Sequence, residues 1–211
     1  MSLKYYAIIA VKEGYERFDC ALGHERSYAE TFLRSIGHTR HSYLREEVPS
    51  RWADSDLVIC ANKSGVLAQG FSLALHMAVG GKKAERAAAA NSKLLALAYN
   101  DQCLIDAFSY YEGRTLLRRV IEMDDYDRAD VVMEGALLPE EIAAIVASSP
   151  DLEAEPDLLT EFVIDAKTYV VEGFTPMRGC SLEVAKRLGV DLDSMPEQAS
   201  FYSAKPWWQR W

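Results

Sequence analysis

The sequence of 211 residues predicts an α+β fold in a single domain, residues 1–211, with helices packed over a mostly antiparallel sheet of about five or six strands. The main observation is the stretch 93–123, where three runs of strand-forming residues are separated by Asn100-Asp101 and Glu112-Gly113. Asn, Asp and Gly tolerate left-handed backbone, so each pair suits a two-residue hairpin turn. The stretch therefore predicts a three-stranded meander over Lys93–Tyr99, Gln102–Tyr111 and Arg114–Met123.

Two-residue turns fix the register of a meander and therefore decide which side chains share a face. With the predicted turns, Leu97 lies opposite Leu104, and Asp106 lies opposite Arg119. Both faces are otherwise mainly apolar, so we expect each to be covered at least in part.

Asp106 and Arg119 are the first candidate site because charges on an apolar face are costly unless they are paired. The carboxylate would serve acid/base chemistry, or the guanidinium would hold an anionic ligand. The alternative interpretation is a structural cross-strand pair, or a pair that solvent reaches at the sheet edge.

Before the meander, the sequence indicates a strand, a helix and a hairpin. Ser27-Tyr-Ala-Glu30 has capping-box spacing, and Gly37 suits the end of the helix that follows. Lys63-Ser64-Gly65 is typical of a hairpin turn, while His38–Ser55 is expected to be irregular. The predicted elements are a strand at Lys4–Lys12, the helix capped by Gly37, strands at Asp56–Asn62 and Val66–Leu75, and an Ala-rich helix at Lys82–Asn91.

After the meander, an acidic loop at Asp124–Asp130 and three helices are predicted. Pro139 suits the first turn of a helix that runs to about Ser148, with two glutamates near the positive end of its dipole. Asp157–Glu172 has apolar residues at helical spacing. Ser181–Leu188 follows as a shorter helix, with Ser181 as its cap and Gly189 as its stop.

The net charge of −9 is concentrated in one segment. Glu122–Asp165 holds fourteen acidic residues and one basic residue, Arg128. Such a segment repels phosphate backbones, which argues against nucleic-acid binding and favours a basic protein partner. The alternative is a solvated acidic surface that keeps the protein soluble.

Cysteine spacing and hydropathy predict a cytoplasmic protein that does not bind membranes. Cys20, Cys60, Cys103 and Cys180 are widely scattered without a CxxC pair, which is typical of reduced thiols. No apolar run approaches the roughly 18–20 residues of a bilayer span. The first residues lack the pattern of a secretory signal.

Three histidines form a second candidate site. His24, His38 and His41 lie in two predicted loops around one helix, and three converging imidazoles would bind zinc or a related metal. No carboxylate stands at a diagnostic spacing, so exposed loop histidines are the alternative. Motifs for nucleotide phosphates, calcium loops and serine hydrolases are absent from the sequence, and no cofactor is predicted.

The C-terminal tail is a candidate interaction site. Trp207, Trp208 and Trp211 surround Arg210, a composition typical of interface hot spots. A basic protein and a second copy of the chain, as a homodimer, are the candidate partners. The alternative is that the tail folds back over an edge or face of the sheet.

Residues 56–190 resemble an uncharacterised bacterial domain family of unknown function. The resemblance rests on the hairpin sequence LIDAFSYYEGRTLLRRV, the following Leu138-Pro139-Glu140 and the helix sequence SLEVAKRLGV. It implies a fold, and it implies no activity and no catalytic residues.

Two functions from different classes follow from these observations. The first is a non-enzymatic cytoplasmic interaction module, immunity-like or regulatory, which uses its acidic surface and aromatic tail. The second is a small-molecule enzyme whose acid/base or metal site involves Asp106 and Arg119 or the loop histidines. The enzyme hypothesis requires the side chains of its candidate site to converge in one concave pocket.

Overall fold

A computed structural model describes residues 4–38, 41–47, 57–100, 105–125, 128–147, 159–172, 175–192 and 198–204. The strands are β1 (Lys4–Val11), β2 (His41–Glu47), β3 (Leu57–Asn62), β4 (Gly65–Gln69), β5 (Lys93–Asn100), β6 (Ile105–Glu112), β7 (Thr115–Asp125), β8 (Arg128–Gly135), β9 (Leu159–Ile164), β10 (Lys167–Glu172) and β11 (Ala199–Ala204). The α-helices are α1 (Arg26–Ser35), α2 (Phe71–Ala78), α3 (Lys82–Ala89), α4 (Pro139–Ala147) and α5 (Thr175–Arg187), and Cys20–Leu22 forms a short 3₁₀ turn.

Nine strands form one sheet in the order β2-β11-β3-β4-β1-β5-β6-β7-β8, and all neighbours in it run antiparallel. The predicted α+β class is therefore confirmed. The sheet has three strands more than the six predicted, because β2 falls in a segment that was expected to be irregular, β8 begins in the expected acidic loop, and β11 was not predicted. β9 and β10 form a separate hairpin. Among the described helices, none has the length and hydrophobicity needed to cross a bilayer.

Helices cover both faces of the sheet. Alternate residues of central strand β1 point to opposite faces, so Ile8 joins a core built with α1, α2 and α3, while Ile9 joins a core built with α5. Every residue of β3 and β4 is buried. The expectation that both faces of the meander are covered is confirmed for β5, where Leu94 and Leu95 lie in different cores.

The three strands of the predicted meander exist, but their register differs from the prediction. Leu97 pairs with Phe108, because Asn100 pairs with Ile105 and the connection between β5 and β6 is longer than two residues. In the second hairpin Glu112 pairs with Thr115, so Gly113 and Arg114 form the loop. Gly113 occupies the left-handed region with φ 53°.

A β-bulge at Leu117 then reverses the faces of β7. Tyr111 pairs with Leu116 while Tyr110 pairs with Arg118, so Leu117 is an extra residue on its strand. Beyond the bulge, Val120 belongs to the core under α5, and Ile121 packs against the opposite core. The predicted pairing of Asp106 with Arg119 is therefore wrong: the residues opposite them are Glu122 and Ser109, respectively.

Gly135 in β8 provides the space for this bulge. A Cβ on Gly135 would lie 2.0 Å from the carbonyl oxygen of Leu117, and the backbone of Gly135 has φ 85°. A side chain at this position is therefore excluded both by contact and by backbone conformation.

Helix predictions succeeded where capping and composition agreed. α4 begins at Pro139 as predicted.

The helix predicted over Asp157–Glu172 is wrong, because its many β-branched and aromatic residues form β9 and β10. Ser27 lies inside α1, whose N-cap Glu25 makes no side-chain capping bond. The second half of the predicted strand Val66–Leu75 belongs to α2.

The turn between β9 and β10 contains two residues in a strained backbone conformation. Asp165 and Ala166 have φ 49° and 61°, and this conformation costs a residue with a Cβ about 1–2 kcal/mol. We expect Ala166→Gly to stabilise the hairpin by about 1 kcal/mol, measured by amide hydrogen exchange in β9 and β10. The matched change Ala143→Gly in α4 should instead destabilise its helix by about 1 kcal/mol. Faster exchange in the Ala166→Gly hairpin would contradict the expectation.

Candidate functional site

Arg119 and Asp106 lie on opposite faces of the sheet and do not form a common site. Arg119 donates from Nη1 to the Glu134 carboxylate at 3.0 Å and from Nη2 to Tyr111 Oη at 3.1 Å. Its guanidinium occupies the space beside Gly80, where a Cβ would lie 2.5 Å from Nη2. Arg119 therefore fastens β7 to the edge strand β8 on the α2 side of the sheet.

Asp106 lines a small cavity on the other face, together with Tyr99, Phe108 and Ser181. The cavity measures about 30 Å³ and is mainly apolar. A space of this size holds about one water molecule and is far smaller than an ordinary ligand site of about 300–1,000 Å³. An enzyme site built on Asp106 and Arg119 therefore has no geometric support in the described residues.

The bulge brings Arg118, rather than Arg119, to the face that α4 and α5 cover. Arg118 Nε donates to both carboxylate oxygens of Glu141 at 3.0 Å, and its Nη2 lies 2.8 Å from Glu141 Oε1. Both side chains are only 4% exposed. The backbone N–H of Leu138 donates to Glu141 Oε2 at 2.7 Å, and Arg118 Nη1 donates to the carbonyl of Gly135. The pair joins β7 to the first turn of α4 and leaves no exposed face for a ligand.

A second set of polar contacts surrounds this pair. Arg187 of α5 binds Glu140 at 2.6 Å, and its guanidinium lies 5.2 Å from the centre of the Tyr110 ring. Tyr110 Oη donates to Glu112 at 2.9 Å. Burial, followed by the bond to Glu112, raises the pKa of Tyr110 to about 12. These contacts hold α4 and α5 on the sheet, so their first role is structural.

Two of the described thiols are buried and unreactive. Burial, with a smaller effect of Cys20, raises the pKa of Cys60 to about 12. Burial is also the main cause that raises the pKa of Cys180, followed by Glu141 and Glu140. The nucleophilic form of cysteine is the thiolate, so neither residue suits nucleophilic catalysis. Cys20 is exposed, and Cys103 lies outside the described residues.

The end of α1 determines the position of His38. The N–H of His38 donates to the carbonyl of Leu33 at 2.8 Å, and the N–H of Gly37 donates to that of Arg34 at 3.0 Å. With φ 65° at Gly37, these bonds form a Schellman motif, which confirms the predicted glycine cap. His38 is thus fixed directly after the helix, with only 9% of its surface exposed.

His38, His41 and Lys83 form a chain of nitrogen atoms. Lys83 Nζ lies 3.0 Å from His38 Nδ1, and His38 Nε2 lies 2.7 Å from His41 Nδ1. A charged lysine only donates, so we assign His38 Nδ1 as an acceptor. His38 then carries its proton on Nε2 and donates it to His41 Nδ1.

His24 does not join the other two histidines, so the predicted convergence of His24, His38 and His41 is wrong. Its Nδ1 accepts from the N–H of Ala61 at 3.0 Å, and its Nε2 lies 2.7 Å from Ser200 Oγ. These contacts fix His24 between β3 and β11. Within the described ranges, no group of three or more His, Cys, Asp or Glu side chains is arranged to hold a metal ion.

Strand β8 ends the sheet on one side, and we term its outer side the β8 edge. No described strand pairs with it there, and its ladder with β7 is regular from Arg128 to Gly135. Val132 and Met133 point to opposite faces and are 43% and 42% exposed. Within the part of the chain that the structure describes, the β8 edge therefore combines backbone groups that no strand pairs with and exposed apolar side chains.

Trp207, Trp208, Arg210 and Trp211 lie outside the described residues, so the structure does not test the predicted interaction site.

Neither the β8 edge nor the role of Lys83 is predicted by the sequence. The run Val131-Val132-Met133 is a strand signal, but the aspartates before it indicated a loop. Lys83 lies 45 residues from His38, and only the packing of α3 against α1 brings the two together.

No family model, no curated protein and no solved structure matches this chain. The resemblance of residues 56–190 to an uncharacterised bacterial family therefore stays a prediction.

Because Arg118 and Glu141 form a buried ion pair, the effects of replacing them on the free energy of unfolding should be strongly non-additive. Arg118→Met or Glu141→Met alone should lower the free energy of unfolding by about 3–5 kcal/mol, because each leaves one buried charge unpaired. The double variant should lose clearly less than the sum of the two, measured by urea denaturation. The same cycle on the exposed pair Arg26–Glu30 should show little coupling. Additive losses at Arg118 and Glu141 would contradict the assignment.

The raised pKa values of Cys60, Cys180 and Tyr110 predict alkaline destabilisation. In the unfolded chain a thiol ionises at about pH 8.5 and a phenol at about pH 10, whereas the folded protein keeps both protonated to higher pH. The unfolded state therefore loses protons first, and the free energy of unfolding should fall as the pH rises above about 9.

Urea denaturation under reducing conditions from about pH 7 to about pH 11 measures this loss. The variant Cys60→Ala/Cys180→Ala should show a shallower decline. Cys20→Ala should change the slope less, because Cys20 is exposed, although partial burial also raises the pKa of its thiol. A free energy of unfolding that stays constant across this range would refute the expectation.

Proposed function

We propose that this protein is a non-enzymatic interaction module that binds a basic partner by adding a strand of that partner to the β8 edge. The observation that carries the proposal is the regular edge, which no described strand pairs with, where Val132 and Met133 are both over 40% exposed. In strand addition, backbone hydrogen bonds supply affinity and alternate side chains supply specificity. The β8 edge offers both.

The sequence of β8 favours a partner because it lacks most of the devices that protect an edge strand. Natural proteins protect such edges with charged side chains, especially lysine, and with proline, bulges or a covering element. RADVVMEG carries three charged residues but neither Lys nor Pro, and the ladder of β8 with β7 has no register shift. Among the described residues, nothing pairs with its outer side.

Charge favours a basic partner over a second copy. The β8 edge lies within Glu122–Asp165, where acidic residues outnumber basic residues fourteen to one. Arg118, Arg119 and Arg187 neutralise three of these carboxylates from outside the segment, and the excess stays strongly negative. Two copies brought together at this edge would repel each other, whereas a strand that carries Lys or Arg would be attracted.

A synthetic strand peptide that alternates Lys and Val tests the proposal, with fluorescence anisotropy of the labelled peptide as the measurement. We expect saturable binding to the full chain that weakens as salt is added, because opposite charges attract. The matched peptide that alternates Glu and Val should bind at least roughly tenfold more weakly. Equal binding of both peptides would show that charge does not select the partner.

Variants locate the binding surface. Val132→Asn/Met133→Asn removes the apolar contacts without a change in charge, and we expect roughly tenfold weaker binding of the basic peptide. Val163→Asn is the control, because Val163 is a strand residue that is 73% exposed in β9, outside the main sheet. Equal losses in both variants would contradict a site on β8. A stable dimer in sedimentation that Val132→Asn/Met133→Asn abolishes would identify a second copy as the occupant instead.

A further inference from the structure

We propose that Gly37, His38, His41, Lys83 and Arg86, termed here the basic corner, bind a phosphate-type oxyanion and take up a proton as they do so. The basic corner involves β2, the opposite end of the sheet from β8. The proposal is therefore independent of strand addition at the β8 edge.

Helix α3 brings two cationic side chains to the end of α1. Lys83 and Arg86 are three residues apart and so lie on the same side of the helix. Lys83 Nζ approaches His38 Nδ1 at 3.0 Å, and Arg86 Nη1 lies 2.6 Å from the position that a Cβ on Gly37 would occupy. The two cations thus contact two consecutive residues of the chain.

Gly37 serves both the helix cap and this approach of Arg86. Its φ of 65° closes the Schellman motif, and the missing side chain leaves room for the guanidinium. Any larger residue would displace Nη1 of Arg86 and strain the end of α1. The same glycine therefore aligns His38 and admits Arg86.

The charge of the basic corner contrasts with the rest of the molecule. In a chain of net charge −9, Lys83 and Arg86 lie beside two imidazoles, and Arg86 forms no ion pair with any described residue. Cations held this close repel one another. An oxyanion would relieve this repulsion through charge-assisted hydrogen bonds, to which the fork of Arg86 is suited.

The hydrogen-bond chain couples anion binding to protons. Lys83 can donate to His38 Nδ1 only while that nitrogen is unprotonated, and His38 and His41 share one proton along their contact. A further proton on this pair removes the acceptor from Lys83 and adds positive charge. An oxyanion that accepts the released Lys83 ammonium therefore favours proton uptake from solvent, with a positive linkage between the two.

The surrounding groups do not cancel this linkage. Besides Lys83 and Arg86, α3 carries Lys82 and Glu85, and α1 carries Arg26, Glu30 and Arg34. Glu30 binds Arg26 of its own helix. β11 places Ala204, which does not titrate, opposite His41, whereas Arg45, Glu46 and Glu47 of β2 lie opposite Phe201, Ser200 and Ala199 at the other end of that strand. The cations of α1 and α3 outnumber the carboxylates of these helices by five to two, so the local charge still favours an anion.

Calorimetric titration of the full chain with inorganic phosphate near pH 6.5, and separately with phosphoserine, tests the proposal. Phosphate and phosphoserine themselves exchange protons near this pH. We therefore expect saturable binding with a net proton uptake, obtained from the dependence of the heat on the ionisation enthalpy of the buffer, that exceeds the uptake of the His38→Gln/His41→Gln variant. Stronger binding of free phosphate would indicate that the natural ligand is inorganic phosphate. Stronger binding of phosphoserine would indicate that the natural ligand is a phosphate ester. Absence of saturation with both would overturn the proposal.

Charge-removing variants assign the site. Lys83→Gln and the exposed Arg86→Gln should each weaken phosphate binding roughly tenfold. Lys63→Gln/Arg114→Gln removes two exposed cations from hairpin turns elsewhere and should leave binding unchanged. His38→Gln/His41→Gln should lower the net proton uptake to the contribution of the ligand's own ionisation. Loss of binding in the Lys63/Arg114 control, or unchanged binding in Arg86→Gln, would overturn the assignment.

Discussion

The extra residue at Leu117 is the constraint on which the placement of α4 and α5 depends. Without it, the alternation of β7 would turn Arg118 toward α2 and Arg119 toward α5. Because of the bulge, the Arg118 side chain instead points toward Glu141. The bidentate pair that they form fixes the first turn of α4 to the sheet. Because both side chains are only 4% exposed, either charge alone would be costly in this interior. Gly135 completes the arrangement, since only a residue without Cβ fits beside the Leu117 carbonyl.

The same strand also organises the charge of the molecule. Arg118 and Arg119 leave β7 on opposite faces, and each binds one carboxylate of the acidic segment. Of these carboxylates, Glu141 is buried and Glu134 is 47% exposed, and the acidic residues of the segment still outnumber the arginines that bind them. At the far end of the sheet, α3 gathers Lys83 and Arg86 around His38. The two candidate surfaces therefore differ in charge sign and lie at opposite ends of one sheet.

Much of the fold could be predicted from local signals. The alternation of Leu94 and Leu95 over two faces, the proline at the start of α4 and the glycine after α1 each act within a few residues. Prediction failed where two local preferences competed. In 159–172 the apolar spacing also fitted a helix, but the β-branched and aromatic residues form a hairpin that turns at Asp165 and Ala166. Of the candidate sites, sequence indicated His38 and His41 but not Lys83.

The sequence by itself determined the α+β class, the three strands of the meander and the acidic segment, because these depend on composition and on short-range spacing. Tertiary structure alone decided the register of those strands and the identity of the buried partners. A single extra residue in β7 exchanges the faces of all residues that follow it, and no local propensity specifies it. It is the match between Leu117 and Gly135 across two strands, together with the pairing of Arg118 and Glu141, that makes the bulged register stable.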